Sequence, residues 1–157
     1  SGFEEFVDGK PRYWSVSSRD GFLQAEDGYA LADGTWFRSG HYAAHLGGYD
    51  YAQDALGQSI TIPSGNGCLA FAWYVTTQET GTLEYDKLSV VLSDVYGNRY
   101  ELYRLNNLSL QNTWQTTRLD VTGFSGQAWV LSLEADVDFS YPTSFFLDDL
   151  NLSACGF

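Results

Sequence analysis

The stretch Leu46–Pro63, LGGYDYAQDALGQSITIP, predicts the kind of fold that the whole chain adopts. Gly47 and Gly48 free the backbone ahead of Asp50 and Asp54, so that carbonyl and carboxylate oxygens can converge in one turn. The segment QSITI that follows alternates polar and apolar side chains before the proline, which is typical of a strand with one buried face. A loop rich in oxygen ligands that leads into a strand suits the rim of a calcium-stabilised β-sandwich.

The remaining sequence repeats this pattern of short strands and tight turns. Residues 20–40 contain three Asp-Gly pairs, at 20–21, 27–28 and 33–34, which leave no room for an ordinary helix. Cys68–Thr76 is apolar at nearly every position on both faces and therefore predicts a central strand. Roughly nine to eleven short strands without helical periodicity predict an all-β sandwich or barrel. No internal repeat or linker is visible, which predicts a single domain over residues 1–157.

The last predicted strand, Ser144–Ala154, contains an irregularity in its apolar pattern. The apolar positions 145 and 147 are odd-numbered, whereas 150 and 152 are even-numbered, so the alternation slips at Asp148–Asp149. A β-bulge there would restore one continuous apolar face. The alternative is a strand buried on both faces, which would place an unpaired Asp pair in the interior at a high cost. We therefore favour the bulge.

Composition and charge exclude several classes of partner. The net charge of −12 disfavours nucleic acid and anionic membranes, because both bind basic patches. The same charge is compatible with cation binding and with an extracellular medium that contains calcium. No apolar run approaches the ~20 residues that a membrane-spanning helix needs, so we predict no membrane insertion.

The two cysteines are candidates for a disulfide. Cys68 and Cys155 lie far apart and lack the C-x-x-C spacing of zinc and redox sites. In a secreted domain they would form a disulfide, which is our prediction, and two buried free thiols are the alternative. The sequences NLS at 107–109 and 151–153 match the glycosylation sequon, which matters only in a host that glycosylates.

Acidic residues at loop–strand junctions are candidate metal ligands. Calcium takes six to eight oxygen ligands at about 2.4 Å, from carboxylates, carbonyls and water. The sequence contains no EF-hand run, and the alternative is that these carboxylates cap turns and face water. The candidates are Glu4, Glu5, Asp50, Asp54, Glu79, Asp86, Asp148 and Asp149.

Catalytic motifs are absent from the sequence. It has no G-x-S-x-G motif, phosphate-binding loop or catalytic Cys–His set. His41 and His45 form H-x-x-x-H, but Tyr42 stands where a zinc protease carries its glutamate base, so we expect a surface or loop-packing role. Carboxylates at 134, 136 and 138 would share one strand face, but no nucleophile signature accompanies them. We predict that the chain is not an enzyme.

Ordered segments along the chain carry a family resemblance: GFE at 2–4, LGGYD at 46–50 with Asp54 and Gln58, TIP at 61–63, LAFAWY at 69–74, Glu79, YD at 85–86 and PTSFFLDDL at 142–150. In these segments the chain resembles the extracellular jelly-roll domains appended to secreted bacterial and archaeal proteins. It is similar to carbohydrate-binding modules of the CBM4/CBM6/CBM22 type and to the MAM-like domains of secreted proteases. The resemblance implies an antiparallel jelly-roll β-sandwich with a non-catalytic role.

The resemblance also implies a structural calcium ion near the chain ends, where an acid of the first strand meets the final Asp pair. Position by position, this points to Glu4 and Asp149, with Glu5 and Asp148 as substitutes. From the same pattern we hypothesise a second ion cluster that involves Asp50, Asp54, Glu79 and Asp86.

Aromatic residues in or near loops are candidate sugar-binding groups. Sugar rings stack on flat exposed aromatic rings, while polar neighbours supply hydrogen bonds. The alternative is that these rings fill the core between the sheets. The candidates are Trp36, Tyr42, Tyr49, Tyr51, Tyr96, Tyr103, Trp114 and Tyr141. Of these, we predict Trp36, Tyr49, Tyr51 and Trp114 as the ligand-binding residues.

Two functions fit these observations. The first is a calcium-stabilised accessory module at the cell surface or in the medium that binds glycans or surface polymers. The alternative is a structural subunit of a surface layer, stalk or filament, whose copies join by β-strand addition because unpaired strand edges template further pairing. Residues 1–7 are the strand that such copies would exchange.

Overall fold

The computed structural model describes residues 3, 5–7, 10–19, 30–31 and 43–155, and these residues form an all-β architecture. The predicted site residues Glu4 and Trp36 and the three Asp-Gly pairs lie outside the described residues. Within the described part of the chain, no helix is long and apolar enough to span a membrane.

The strands are labelled in chain order. They are β1 (Phe6–Val7), β2 (Lys10–Pro11), β3 (Ser15–Ser18), β4 (Ala30–Leu31), β5 (Ala43–Gly47), β6 (Gln53–Thr61), β7 (Gly67–Thr77), β8 (Lys87–Ser93), β9 (Arg99–Asn106), β10 (Gln115–Asp120), β11 (Ala128–Asp136) and β12 (Thr143–Ala154). A short 3₁₀ helix, Thr122–Phe124, precedes β11.

The strands form two five-stranded sheets and a small hairpin. Sheet I has the order β10-β7-β12-β5-β4, sheet II has the order β3-β6-β11-β8-β9, and β1 pairs with β2. Every pairing among these strands is antiparallel. β7 lies between β10 and β12, which confirms the predicted central strand.

The inner sides of the two sheets share one hydrophobic core. Leu69, Phe71, Trp73 and Val75 of β7 contribute to it from sheet I, as their alternation predicts. Leu131 of β11 is fully buried in the same core from sheet II. The two sheets therefore pack face to face as a β-sandwich, and the barrel alternative is excluded.

The predicted bulge in the last strand is confirmed. The register of β12 against β7 shifts between Asp148 and Asn151. Asp149 has a φ of 50°, and its N–H donates to the buried carboxylate of Asp148 at 2.7 Å. Short polar residues such as Asp tolerate this left-handed conformation, which explains why the bulge lies at the Asp pair. Leu150 is thereby returned to the core side of the strand.

The predicted disulfide between Cys68 and Cys155 is present. It joins the beginning of β7 to the end of the described chain, with the two Cα atoms 5.0 Å apart and both residues buried. Asn66 adds a backbone and a side-chain hydrogen bond to Cys155 at 3.1 Å and 2.8 Å. The disulfide closes a loop of 87 residues by sequence separation.

Removal of the disulfide should strongly destabilise the fold. The double variant Cys68→Ala/Cys155→Ala should lose about 4 kcal/mol of unfolding free energy, because the unfolded chain regains the entropy of a long open loop. Urea unfolding measures this loss. The reduced wild type is the control, since it should lose a similar amount. A loss below about 1 kcal/mol would contradict the expected contribution.

His45 is partly buried on the outer face of sheet I, in a strand rather than in a loop. It lies in β5 between Ala44 and Leu46, which face the core, so its ring is on the outer side of sheet I. The ring stacks on Phe146 with centroids 4.3 Å apart, and both ring nitrogens are buried without a hydrogen-bond partner among the described residues. Burial lowers the pKa of His45 from 6.5 to about 4. The expected loop position is therefore wrong for His45, which packs against Phe146 within the sheet, and His41 lies outside the described residues.

Acid should destabilise the fold through His45. Below pH 6.5 the unfolded chain protonates this residue, whereas the folded chain does so only near pH 4, so the unfolded state binds more protons between these values. The contribution of neutral His45 to the unfolding free energy is fully present above pH 6.5. It falls by about 3 kcal/mol as the pH approaches 4.

Urea unfolding at pH 7 and pH 5 measures this dependence. In His45→Leu the fall in unfolding free energy between the two pH values should be smaller by about 2 kcal/mol than in the wild type. An identical fall in both proteins would show that His45 does not cause the loss of stability in acid.

Candidate functional site

Three carboxylates meet at one end of the sandwich, between loop 78–86 and loop 137–142. One oxygen each from Glu79, Asp86 and Asp138 lies within 4.8 Å of the other two. We call these three residues the acid cluster. Glu79 and Asp86 belong to the predicted second ion cluster, and Asp138 joins them.

Asp86 holds the two loops together from the interior. It is fully buried, and its Oδ1 accepts a hydrogen bond from the Asp138 N–H at 2.9 Å. Its Oδ2 accepts from the Thr143 hydroxyl at 2.6 Å. The Thr143 and Thr77 hydroxyls lie 2.7 Å apart, and Thr77 Oγ1 accepts from the Glu79 N–H at 3.0 Å. The backbones that carry all three carboxylates are therefore connected.

Asn107 fixes the same loop from the other side. Its Oδ1 accepts from the backbone N–H groups of Tyr85 and Asp86 at 2.9 Å and 3.1 Å. Its Nδ2 donates to the Leu83 carbonyl at 2.9 Å, and the residue is 2% exposed. Loop 78–86 is thus held by side chains of β12 and of the residues that follow β9.

The electrostatics of the cluster favour a cation. Burial raises the pKa of Asp86, while its hydrogen bonds from Thr143 and Asp138 oppose that change. Desolvation raises the pKa of Glu79, and the negative charges of Asp138 and Asp86 raise it further. Three carboxylates at this spacing could bind a metal ion, because a hard cation would neutralise their mutual repulsion.

A depression lined by aromatic rings opens beside the acid cluster. Its volume is about 360 Å³, and we call it the aromatic depression. Phe139 is 65% exposed, Tyr141 62% and Tyr85 41%, so large parts of three rings face solvent around one concavity. Glu79 and Asp138 line the same depression, together with Thr80, Gly81 and Ser140.

Two tyrosines near this depression have strained backbones. Tyr51 and Tyr141 have φ angles of 60° and 53°, which bulky residues rarely adopt and which cost about 1 kcal/mol or more each. The Tyr51 N–H donates to the Asp138 carbonyl at 2.7 Å, so its loop packs directly on loop 137–142. The Arg19 guanidinium lies 5.2 Å from the centre of the exposed Tyr51 ring. Both rings are exposed.

Asp54 and Tyr49 are placed in the framework rather than in the acid cluster. The Asp54 carboxylate is buried and accepts hydrogen bonds from Ser18 Oγ at 2.7 Å, the Tyr49 hydroxyl at 2.5 Å and the Gly47 N–H at 2.9 Å. Asp54 is not one of the three carboxylates of the acid cluster. Asp50 lies exposed in the preceding turn and is not part of the acid cluster.

The other predicted residues lie elsewhere. Trp114 is half-buried and packs against Tyr74, with ring centroids 5.6 Å apart, at the edge of sheet I. Asp149 is exposed at the bulge, and Glu5 is paired with Arg12 at 3.0 Å. Because Glu4 lies outside the described residues, the ion site at the chain ends stays a prediction.

Sequence reasoning did not assign Asp138, Tyr85 and Phe139 to a binding site. One signal was present, since loop 137–142 combines an acid with aromatic residues directly after a strand. The missing information was the pairing of this loop with loop 78–86, which depends on contacts between residues distant in sequence.

Comparisons with known proteins identify the fold. The chain matches no protein-family model and no curated protein. Among solved structures it is similar to a family 61 carbohydrate-binding module in complex with β-1,4-galactotriose, with a TM-score of 0.66 and 16% identity, over 98% of this chain and 94% of that chain. The K1 cleaved adhesin domain of Lys-gingipain from Porphyromonas gingivalis W83 is also similar, with a TM-score of 0.61 and 16% identity, over 99% and 97% of the two chains.

A third match is the CBM22-1 xylan-binding domain of Xyn10C from Paenibacillus barcinonensis, with a TM-score of 0.54 and 13% identity, over 98% of this chain and 90% of that chain. At these identities the likeness shows the fold alone. It confirms that the chain has the β-sandwich fold of carbohydrate-binding modules, which the sequence resemblance implied. The resemblance to MAM-like domains stays a prediction.

Proposed function

We propose that this chain is a non-catalytic, extracellular module that binds glycans in the aromatic depression. The observation that carries the proposal is the presence of three exposed rings and two carboxylates around one concavity. Phe139, Tyr141 and Tyr85 offer apolar faces on which the C–H face of a sugar ring can stack. Glu79 and Asp138 offer acceptors for sugar hydroxyl groups.

The anchoring of the loop backbones supports this function. Aromatic side chains on a mobile loop would lose loop as well as side-chain entropy on binding, which weakens affinity. Here the buried Asp86 connects the two loops through Asp138 and Thr143, and Asn107 binds the backbone of loop 78–86. A ligand would therefore not have to order these loop backbones.

The solved structures of similar fold support a glycan as the ligand class. One was determined with β-1,4-galactotriose, and another is named a xylan-binding domain. Both are carbohydrate-binding modules, a non-catalytic class, which agrees with the absence of catalytic motifs from this sequence. The disulfide between Cys68 and Cys155 supports an extracellular location, because disulfides persist in oxidising compartments.

We further propose that the acid cluster binds Ca²⁺ and thereby stabilises the loops of the glycan site. The donor set of Glu79, Asp86 and Asp138 consists of oxygen atoms only, which suits calcium rather than zinc or copper. The ion expected near the chain ends, with Glu4 and Asp149 as ligands, is a separate proposal.

The alternative function, a subunit assembled by strand exchange, receives no such support. β1 pairs with β2 of the same chain. Assembly into a surface layer or filament stays a prediction.

Substitution of the exposed rings should weaken glycan binding. Phe139→Ala and Tyr141→Ala should each reduce affinity by about tenfold, because each removes a stacking surface worth about 1.4 kcal/mol. Affinity electrophoresis in gels that contain β-1,4-galactan or xylan measures the effect. The matched control is Tyr96→Ala, which removes a ring that is 87% exposed in the turn at the other end of β8. Failure of the wild type to bind either polymer, or equal losses in all three variants, would contradict the proposal.

Calcium should raise the melting temperature. At 100 times its Kd, an ion that binds only the folded state adds about 2.7 kcal/mol of stability, which corresponds to several degrees in Tm. Asp138→Asn should remove this increase, because the amide can still accept the Ser140 N–H but provides no charge. Asp136→Asn is the matched control, since it removes an exposed carboxylate outside the cluster.

Asp149→Asn separates the two proposed ions, because it should affect only an ion near the chain ends. Thermal unfolding with excess calcium and with a chelator would refute calcium binding if the wild type melted at the same temperature in both. A rise that persists in Asp138→Asn would place the ion outside the acid cluster.

A further inference from the structure

A second concavity lies on the solvent-facing side of sheet II. It has a volume of about 380 Å³, and we call it the ion-pair furrow. Its floor is formed by Ser89 and Val91 of β8, which are 8% and 4% exposed. Its sides carry five charged residues from β8, β9 and β11, namely Lys87, Arg99, Glu101, Glu134 and Asp136.

Ion pairs and a hydrogen bond connect three of the five charged side chains of the furrow to neighbouring residues. Arg99 of β9 donates to Glu134 of β11 at 2.5 Å, and β8 lies between these two strands. Glu101 accepts from the Ser89 hydroxyl at 3.0 Å and from Arg104 Nε at 2.9 Å. The furrow therefore presents hydrogen-bond donors and acceptors side by side.

The balance of charge defines the class of ligand. Two cationic and three anionic side chains line the furrow, so a polyanion or a polycation would meet repulsion along with attraction. A neutral chain with many hydroxyl groups can donate to the carboxylates and accept from the guanidinium and ammonium groups. Hydrogen bonds to charged groups are stronger than those between neutral groups, so such contacts contribute without stacking.

The neighbouring strands leave the surface beside the furrow flat. Ala55 of β6 lies opposite Glu134, and Gly57 lies opposite Ser132. Ser17 and Ser15 of β3 lie opposite these two residues of β6. These small side chains place no aromatic ring and no obstacle next to the furrow in this part of sheet II. An extended ligand can therefore lie on the sheet.

The furrow and the aromatic depression are lined by residues close together on the same two chain segments. Lys87 of the furrow is two residues from Tyr85 of the depression, and Asp136 of the furrow is two residues from Asp138 of the depression. Within the furrow, Lys87, Ser89 and Val91 lie along one face of β8 and span about 13 Å at roughly 3.3 Å per residue. A ligand seated on the rings would therefore reach the furrow by extending along this strand.

We propose that the ion-pair furrow and the aromatic depression form one elongated site for the interior of a long, neutral, unbranched glycan chain. This inference rests on the proposed glycan-binding function. It assigns stacking to the depression and hydroxyl recognition to the furrow. Affinity should therefore increase with chain length, and anionic polymers such as polygalacturonate should not bind.

Isothermal titration with oligosaccharides of β-1,4-galactose and β-1,4-xylose, from disaccharide to hexasaccharide, tests the proposal. In whichever of the two series the protein binds, the hexasaccharide should bind at least about tenfold more tightly than the disaccharide. Arg99→Ala and Glu134→Ala should remove most of this gain while the disaccharide affinity stays unchanged. Tyr141→Ala should weaken binding at every length.

The control variant is Arg12→Ala, which removes an exposed Arg–Glu pair outside the furrow and should change neither affinity. Equal affinities for short and long chains, or equal effects of Arg99→Ala at all lengths, would overturn the elongated site and leave the glycan-binding function standing. If neither polymer nor oligosaccharide binds the wild type, both proposals are overturned.

Discussion

The buried carboxylate of Asp86 is the constraint on which the functional end of this molecule depends. Without donors, a carboxylate in the interior would cost several kcal/mol, so the folded state must supply them. It does so from the Asp138 backbone and the Thr143 hydroxyl, while Asn107 holds the Asp86 backbone. Because these donors come from different parts of the chain, satisfying one side chain fixes the relative positions of two loops. The exposed carboxylates and aromatic rings follow from that arrangement.

The buried carboxylate of Asp54 likewise anchors a neighbouring loop by accepting hydrogen bonds. Its oxygens accept three hydrogen bonds, including those from the Tyr49 hydroxyl and the Gly47 backbone, which anchor the turn between β5 and β6. The acidic residues at this end therefore divide into two kinds. The buried ones set the geometry, and the exposed or half-exposed ones, such as Glu79 and Asp138, remain accessible to a ligand. Total charge or spacing in sequence does not distinguish the two kinds.

Local patterns explain which features the sequence could predict. The alternation in β7 and the slip at Asp148–Asp149 are properties of a few adjacent residues, and both were predicted correctly. The acid cluster depends on a hydrogen bond between residues 52 apart, which no local pattern contains. Tyr49 and Tyr51 show the same limit. They are the same residue type, two positions apart in one turn, so the local sequence does not distinguish them. Tyr49 is bonded to Asp54, whereas the left-handed backbone at Tyr51 turns its ring to the surface.

The burial of Asn107 has a consequence for producing the protein in other organisms. Asn107 begins the sequence NLS, which a eukaryotic secretory pathway modifies on the unfolded chain. In the folded protein its amide is enclosed and bonded to the Leu83 carbonyl, so no space exists for an attached oligosaccharide. A chain that carries one at this position could not close loop 78–86. Bacterial secretion, or a host lacking this modification, is therefore the route to native material.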